Sequence, residues 1–128
     1  MRDLARNIAN ERIVCVVDER GELFPEGIAR GKRMDVLSGF SKSRGLEMLL
    51  RTMGPEYIAM DEITAEEDCA SVIRAANCGV RLIATAHASS MRDFEIRNLY
   101  RELINWNVFS VIVLLRKDKS YQIERVKS

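Results

Sequence analysis

The chain has 128 residues, 47% of them hydrophobic and 30% charged, with a net charge of +1. This is the size and balance of one soluble globular domain with a core of its own, and it gives no overall field that would favour nucleic acid or an anionic membrane. No apolar run approaches the ~20 residues of a membrane helix, and Met1-Arg2-Asp3-Leu4-Ala5-Arg6 carries no apolar signal-peptide core.

Met1, Leu4, Ala5 and Ile8 fall at i, i+3, i+4 and i+7, one face of a helix. Residues 13–17 are an apolar, β-branched run read as a buried strand ending at Asp18-Glu19-Arg20. Residues 21–33 hold Gly21, Pro25, Gly27 and Gly31 and read as loop, with room for a short strand at 22–24. Leu46, Leu49, Leu50 and Met53 return to helical spacing, and Gly54-Pro55 stops that helix. Residues 57–61 are the next strand.

Thr64-Ala65-Glu66-Glu67 has the pattern of a capping box, with Cys69, Val72, Ile73 and Ala76 as the buried stripe and Gly79 just past the helix end. Residues 80–85 form a third apolar strand. Ser90 can cap a helix that buries Phe94, Leu99, Leu103 and Trp106. Residues 108–115 and 121–126 read as a hairpin around Lys117-Asp118-Lys119-Ser120. Strands alternating with helices predict an α/β fold: a mostly parallel sheet flanked by helices, with a C-terminal β-hairpin. Cys15, Cys69 and Cys78 are odd in number, lack C-x-x-C spacing and sit in apolar contexts, which points to reduced core thiols.

Three buried strands end in polar residues: Asp18-Glu19, Asp61-Glu62, and Thr85 with His87. Ligands of open α/β sheets bind outside the carboxyl ends of the strands, so these groups are expected on one edge. The stretch Tyr57-Ile58-Ala59-Met60-Asp61-Glu62 has the form of a Walker B strand, in which Asp61 holds Mg²⁺ and Glu62 polarises the attacking water. His87 either contacts the γ-phosphate or is a loop hydrogen-bonder. Lys42, Arg44 and Arg51 either reach a phosphate of the same or a neighbouring subunit or form a solvated helix face. The partner motif G-x-x-x-x-G-K-[ST] does not occur in these residues.

Val16-Val17-Asp18-Glu19-Arg20, Asp35-Val36-Leu37, the run from Lys42-Ser43-Arg44-Gly45 through Met60-Asp61-Glu62-Ile63, and Thr85-Ala86-His87-Ala88-Ser89-Ser90 resemble the stage III sporulation protein AA family. Its members are predicted ATPases of endospore-forming bacteria, similar to the ring-forming ATPases of type II and type IV secretion. The resemblance is collinear from about Arg2 to about Val126. It implies a P-loop NTPase (RecA-like) core. In the family, the segment like Leu4-Ala5-Arg6 follows the Walker A lysine and threonine. Residues 1–128 are thus expected to be a single domain, the C-terminal part of an ATPase core cut just after its P-loop.

The resemblance implies Glu62, His87 and Glu19 as catalytic residues. Asp61 matches the metal-holding acid, and Arg44 and Arg51 are candidates for the nucleotide. It implies ATP and Mg²⁺ as cofactors of the complete protein. It also implies a homo-oligomeric ring, partners among sporulation channel proteins at the membrane, no nucleic acid, and a place in the mother-cell cytoplasm. Two other readings stay open: a metal-dependent phosphoesterase built on Asp18, Asp61, Glu62 and His87, and a non-catalytic assembly module.

Overall fold

The structure is a computed structural model that describes residues 1–52 and 54–125. The chain divides into two compact units, Met1–Ala86 and His87–Ser128. In the first, β1 (Val14–Asp18) is buried along its whole length. A strand covered on both faces shows no alternation, which is why V-C-V-V reads as one apolar run.

Four strands pair in the order β2-β1-β3-β4, with β2 Met34–Ser38, β3 Tyr57–Glu62 and β4 Arg81–Thr85. All three ladders are parallel. Parallel strands need crossovers, and two are helical: α2 (Lys42–Thr52) joins β2 to β3 across β1, and α3 (Glu66–Asn77) joins β3 to its neighbour β4. On one face of the sheet, Ala5 and Ala9 around the end of α1 (Arg2–Ile8) pack with Val14, Val16, Phe24, Met34 and Ala59. Successive strand residues face opposite ways, so Val17 looks to the other side, where α2 packs against it.

Sequence and structure differ at instructive places. The first helix buries Ala5 but leaves Leu4 half exposed, so its inner face runs through Met1, Ala5, Ile8 and Ala9. No strand forms at 22–24, and β2, an edge strand, appears just past the expected loop, at residues for which the local pattern predicts no element. Its cue is pairing with β1, from Val14↔Met34 to Asp18↔Ser38, which no local window reveals. Thr64 does not cap α3. Asp68 does: its Oδ2 accepts the N–H groups of Thr64 (3.2 Å) and Ala65 (3.1 Å). The other end follows expectation. Gly79 has φ +86°, and the N–H groups of Gly79 and Val80 bond the carbonyls of Ala76 and Ala75, a Schellman motif. Cys15 and Cys69 are buried, and burial together with the charge of Asp35 pushes the Cys15 thiol up to about 11. Cys78 is exposed, against the expected core thiol.

The second unit holds α4 (Met91–Ile96), α5 (Asn98–Asn105) and an antiparallel hairpin of β5 (Val111–Leu115) and β6 (Tyr121–Arg125). Ser90 caps α4 as expected, its Oγ accepting the Asp93 N–H. The expected single helix is broken at Arg97, whose ψ of 126° is extended. Phe94 and Leu99 are five residues apart and cannot share a face of one continuous helix. The break re-phases the apolar positions, and Phe94 stacks on Tyr100 with centroids 4.7 Å apart. Trp106 is exposed, not buried, and Val126 lies outside the described residues.

Gly45 lies inside α2 where a Cβ would come within 2.8 Å of Val17 Cγ1. In an exposed helix, Gly→Ala gains up to about 1 kcal/mol. Here overpacking a stiff, fully buried valine costs about 1–3 kcal/mol. Urea denaturation should show Gly45→Ala less stable than wild type by about 1–2 kcal/mol; a stabilised variant would show that α2 does not pack this closely.

Candidate functional site

Because the four strands are parallel, their carboxyl ends share one edge, where Asp18, Ser38, Glu62 and Thr85 close the ladders. The helix between β2 and β3 runs back toward the amino edge, so α2 starts beside this edge and Lys42 is its first residue. Ser41 begins the turn, its Oγ accepting the Arg44 N–H at 3.4 Å. In β3 the ladder to β1 stays in register through Met60. The ladder to β4 slips between Ala59↔Ile83 and Glu62↔Thr85, so Met60 and Asp61 stand against Ala84 alone. A bulge re-aims the side chains that follow it, and this one sits at the acidic pair.

The carboxylates at this edge have different fates. Asp18 is fully buried. Its Oδ1 accepts the N–H groups of Glu22 (3.0 Å) and Leu23 (3.2 Å), and its Oδ2 that of Phe24 (2.9 Å). It organises the loop after β1 and has no exposed face to offer a ligand. Asp18 thus stands at the expected edge, but as a ligand candidate it is set aside on this ground. The phosphoesterase alternative loses a ligand with it: among the described residues, no three His, Cys, Asp or Glu side chains are arranged to hold a metal.

Glu19 and Asp61 converge on Lys42. The ammonium donates to Glu19 Oε2 at 3.0 Å and stands 3.4 Å from Asp61 Oδ1. The Lys42 side chain is only 7% exposed, against 37% for Glu19 and 23% for Asp61. Oδ1 of Asp61 is buried and accepts no aligned hydrogen bond, so its link to Lys42 is ionic. Burial pushes the Asp61 carboxyl above its ordinary pKa, against the pull of the Lys42 charge. Burial also disfavours the Lys42 ammonium, yet the Glu19 hydrogen bond and the charges of Asp61, Glu19 and Asp68 outweigh it and hold its pKa above the ordinary lysine value.

Glu62 ends β3, partly exposed. Arg44 is exposed in the first turn of α2, its guanidinium over the Phe40 ring. Arg51 is exposed in the last turn, roughly 14 Å along the helix axis from Lys42 and away from the acids. His87 is exposed and opens the second unit. Sequence reading grouped Lys42 with the arginines as a basic face. The signal that separates it is its place at a helix N-terminus, where a buried cation needs an acidic neighbour from elsewhere.

A group whose folded pKa is raised contributes stability that is complete below its unfolded pKa and is lost as pH rises through the folded one. The stability difference between wild type and Lys42→Met should therefore be steady through neutral pH and shrink above pH ~10.4, the ordinary lysine value. Urea titrations from pH 8 to 12 measure it; a difference unchanged to pH 12 would contradict the pairing.

The model of the family described as sporulation stage III, protein AA matches residues 1–126. Stage III sporulation protein AA of Bacillus subtilis is 35% identical over 93% of this chain and 42% of its own length. The uncharacterised ycf45 protein of Cyanidium caldarium is 30% identical over 98% of this chain and 41% of its own. The chain thus spans about two-fifths of the length of these relatives. Among solved structures, the ATPase DotB of Legionella pneumophila superposes with a TM-score of 0.58 over 95% of this chain and 38% of its own, at 16% identity. DotB of Yersinia pseudotuberculosis does so at 0.53 over 97% of this chain and 37% of its own, also at 16% identity. These likenesses carry the fold alone: this chain's parallel sheet flanked by helices is arranged as in those two proteins. With a family model matched across nearly its whole length, the chain belongs to the sporulation stage III protein AA family.

Proposed function

We propose that this chain is part of a sporulation ATPase that couples ATP hydrolysis to assembly of, or transport through, the channel between mother cell and forespore. The observation that carries the reading is the delivery of Asp61 and Glu62 to the carboxyl edge by a buried strand flanked on both sides by parallel neighbours. The family and the ATPase fold support it.

Asp61 fits a magnesium ion: its Oδ1 is a buried carboxylate oxygen with no hydrogen-bond donor aligned on it, and magnesium takes one or two carboxylates besides water and phosphate oxygens. Bound with nucleotide, the ion would neutralise charge on the transferred phosphoryl group. Glu62, next along the strand, is the group for the attacking water, and Glu19, the residue after β1, supports the same edge. His87 is assigned to the γ-phosphate as the resemblance implies. Arg44 and Arg51 are assigned to a neighbour's nucleotide in a ring. Arg51, at the far end of α2, serves a phosphate only across such an interface, where an arginine changes the rate by about 10³ or more.

On this reading the protein works in the mother cell, with channel proteins as partners at the membrane and no nucleic acid ligand. No described helix is long and apolar enough to cross a membrane.

In a family member of full length carrying these residues, Glu62→Gln should abolish hydrolysis while nucleotide stays bound, and Asp61→Asn should also weaken Mg-nucleotide binding. Unchanged turnover in Glu62→Gln would remove the assignment. The 128-residue chain has no phosphate-cradling glycine loop or its lysine. Calorimetry with Mg-ATP should show binding no tighter than about 1 mM for it; a micromolar dissociation constant would refute the assignment of phosphate binding to a P-loop.

A further inference from the structure

We propose that Lys42 is a resident cation: its ammonium holds the place between Glu19 and Asp61 that a divalent cation takes when Mg-nucleotide binds. The inference rests on the ATPase reading for the identity of that cation, and on this chain's geometry for everything else.

Lysine is rarely buried unless paired, and this one is buried at the least favourable point of a helix. It is the first residue of α2, where the helix dipole repels positive charge, and the first turn of α2 contains no acid to offset it. What holds it there is the pair of carboxylates that two adjacent strands, β1 and β3, bring to the same edge, at 3.0 and 3.4 Å. The two contacts differ in kind. Glu19 accepts a well-formed hydrogen bond at 3.0 Å, whereas the ammonium meets Asp61 Oδ1 at a longer 3.4 Å and out of good hydrogen-bond alignment. An oxygen buried with a positive charge beside it and no aligned donor is suited to exchange one cation for another. Lysine also lacks the fixed fork of arginine, so its flexible stem can carry the ammonium out without moving the helix.

Lys42 is in this account a positioning residue. Without nucleotide it keeps Glu19 and Asp61 from repelling each other. When Mg-nucleotide enters, the ion displaces the ammonium, which is then free to move toward solvent or a phosphate. The device makes metal binding weak until nucleotide supplies further oxygen ligands.

The test uses Mn²⁺ as probe, with free Mn²⁺ read by electron paramagnetic resonance, on the chain without nucleotide. Lys42→Met should bind Mn²⁺ at least about tenfold tighter than wild type, since a like charge within a few ångströms is gone. Lys42→Arg should bind like wild type, and adding Asp61→Asn to Lys42→Met should abolish the gain. A folded Lys42→Met chain binding Mn²⁺ no better than wild type would overturn the proposal. If Lys42→Met is unfolded in buffer, millimolar Mn²⁺ should restore its circular dichroism; a chain left unfolded by Mn²⁺ also overturns it. No nucleotide is present, so failure here leaves the ATPase reading standing. Conversely, an inactive full-length protein whose Lys42→Met form gains Mn²⁺ binding would sink only that reading.

Discussion

A carboxylate delivered by a buried strand must be given donors or cations, or else be protonated, because an unpaired charge away from water is too costly to keep. Two adjacent strands of this sheet each end in such a group, and the surroundings of the edge follow from how each is satisfied. Asp18 is answered by backbone: three N–H groups of the loop after β1 turn inward to it. That shapes the otherwise irregular crossover to β2. Asp61 is answered by a side chain, Lys42, which ties the start of α2 to β1 and β3 at once.

The two solutions imply different roles. Backbone donors cannot leave, so Asp18 is fixed and structural. An ammonium on a four-carbon stem can leave, so Asp61 is the carboxylate whose partner is exchangeable. The local rules are kept at Asp68, at Gly79 and along β1. They are broken at Lys42, a cation at a helix N-terminus, and near Asp61, where the strand bulges against β4. Natural sequences tend to violate local consistency where function requires it.

Much of this was legible in the chain itself. The unbroken apolar runs of β1 and β3 announced buried parallel strands, and Asp61-Glu62 at the end of one announced the edge where chemistry belongs. The C-terminal hairpin was legible from its alternation and its Lys117-Asp118 turn. What could not be read was non-local. β2 owes its existence to pairing with β1, the bulge to the register with β4, and the fate of Asp18 to a loop folding back over it. Asp18 and Asp61 look alike in sequence, each an acid after an apolar run; only the positions of distant donors separate them. Lys42 was seen as one of three basic residues; its place at the first position of α2 is the local mark that sets it apart from Arg44, which faces solvent two residues on, while the acids that meet it come from elsewhere in the chain.

The central claim is that Asp61, released from Lys42, is the metal-side carboxylate of a nucleotide site. A crystal structure of a full-length family member carrying these residues, with Mg²⁺ and a non-hydrolysable ATP analogue, tests it most directly. The account predicts the ion held by Asp61 directly or through one water, Glu62 facing the γ-phosphate, and the Lys42 ammonium withdrawn from Asp61. An ion bound elsewhere, with Lys42 still seated between Glu19 and Asp61, would contradict it.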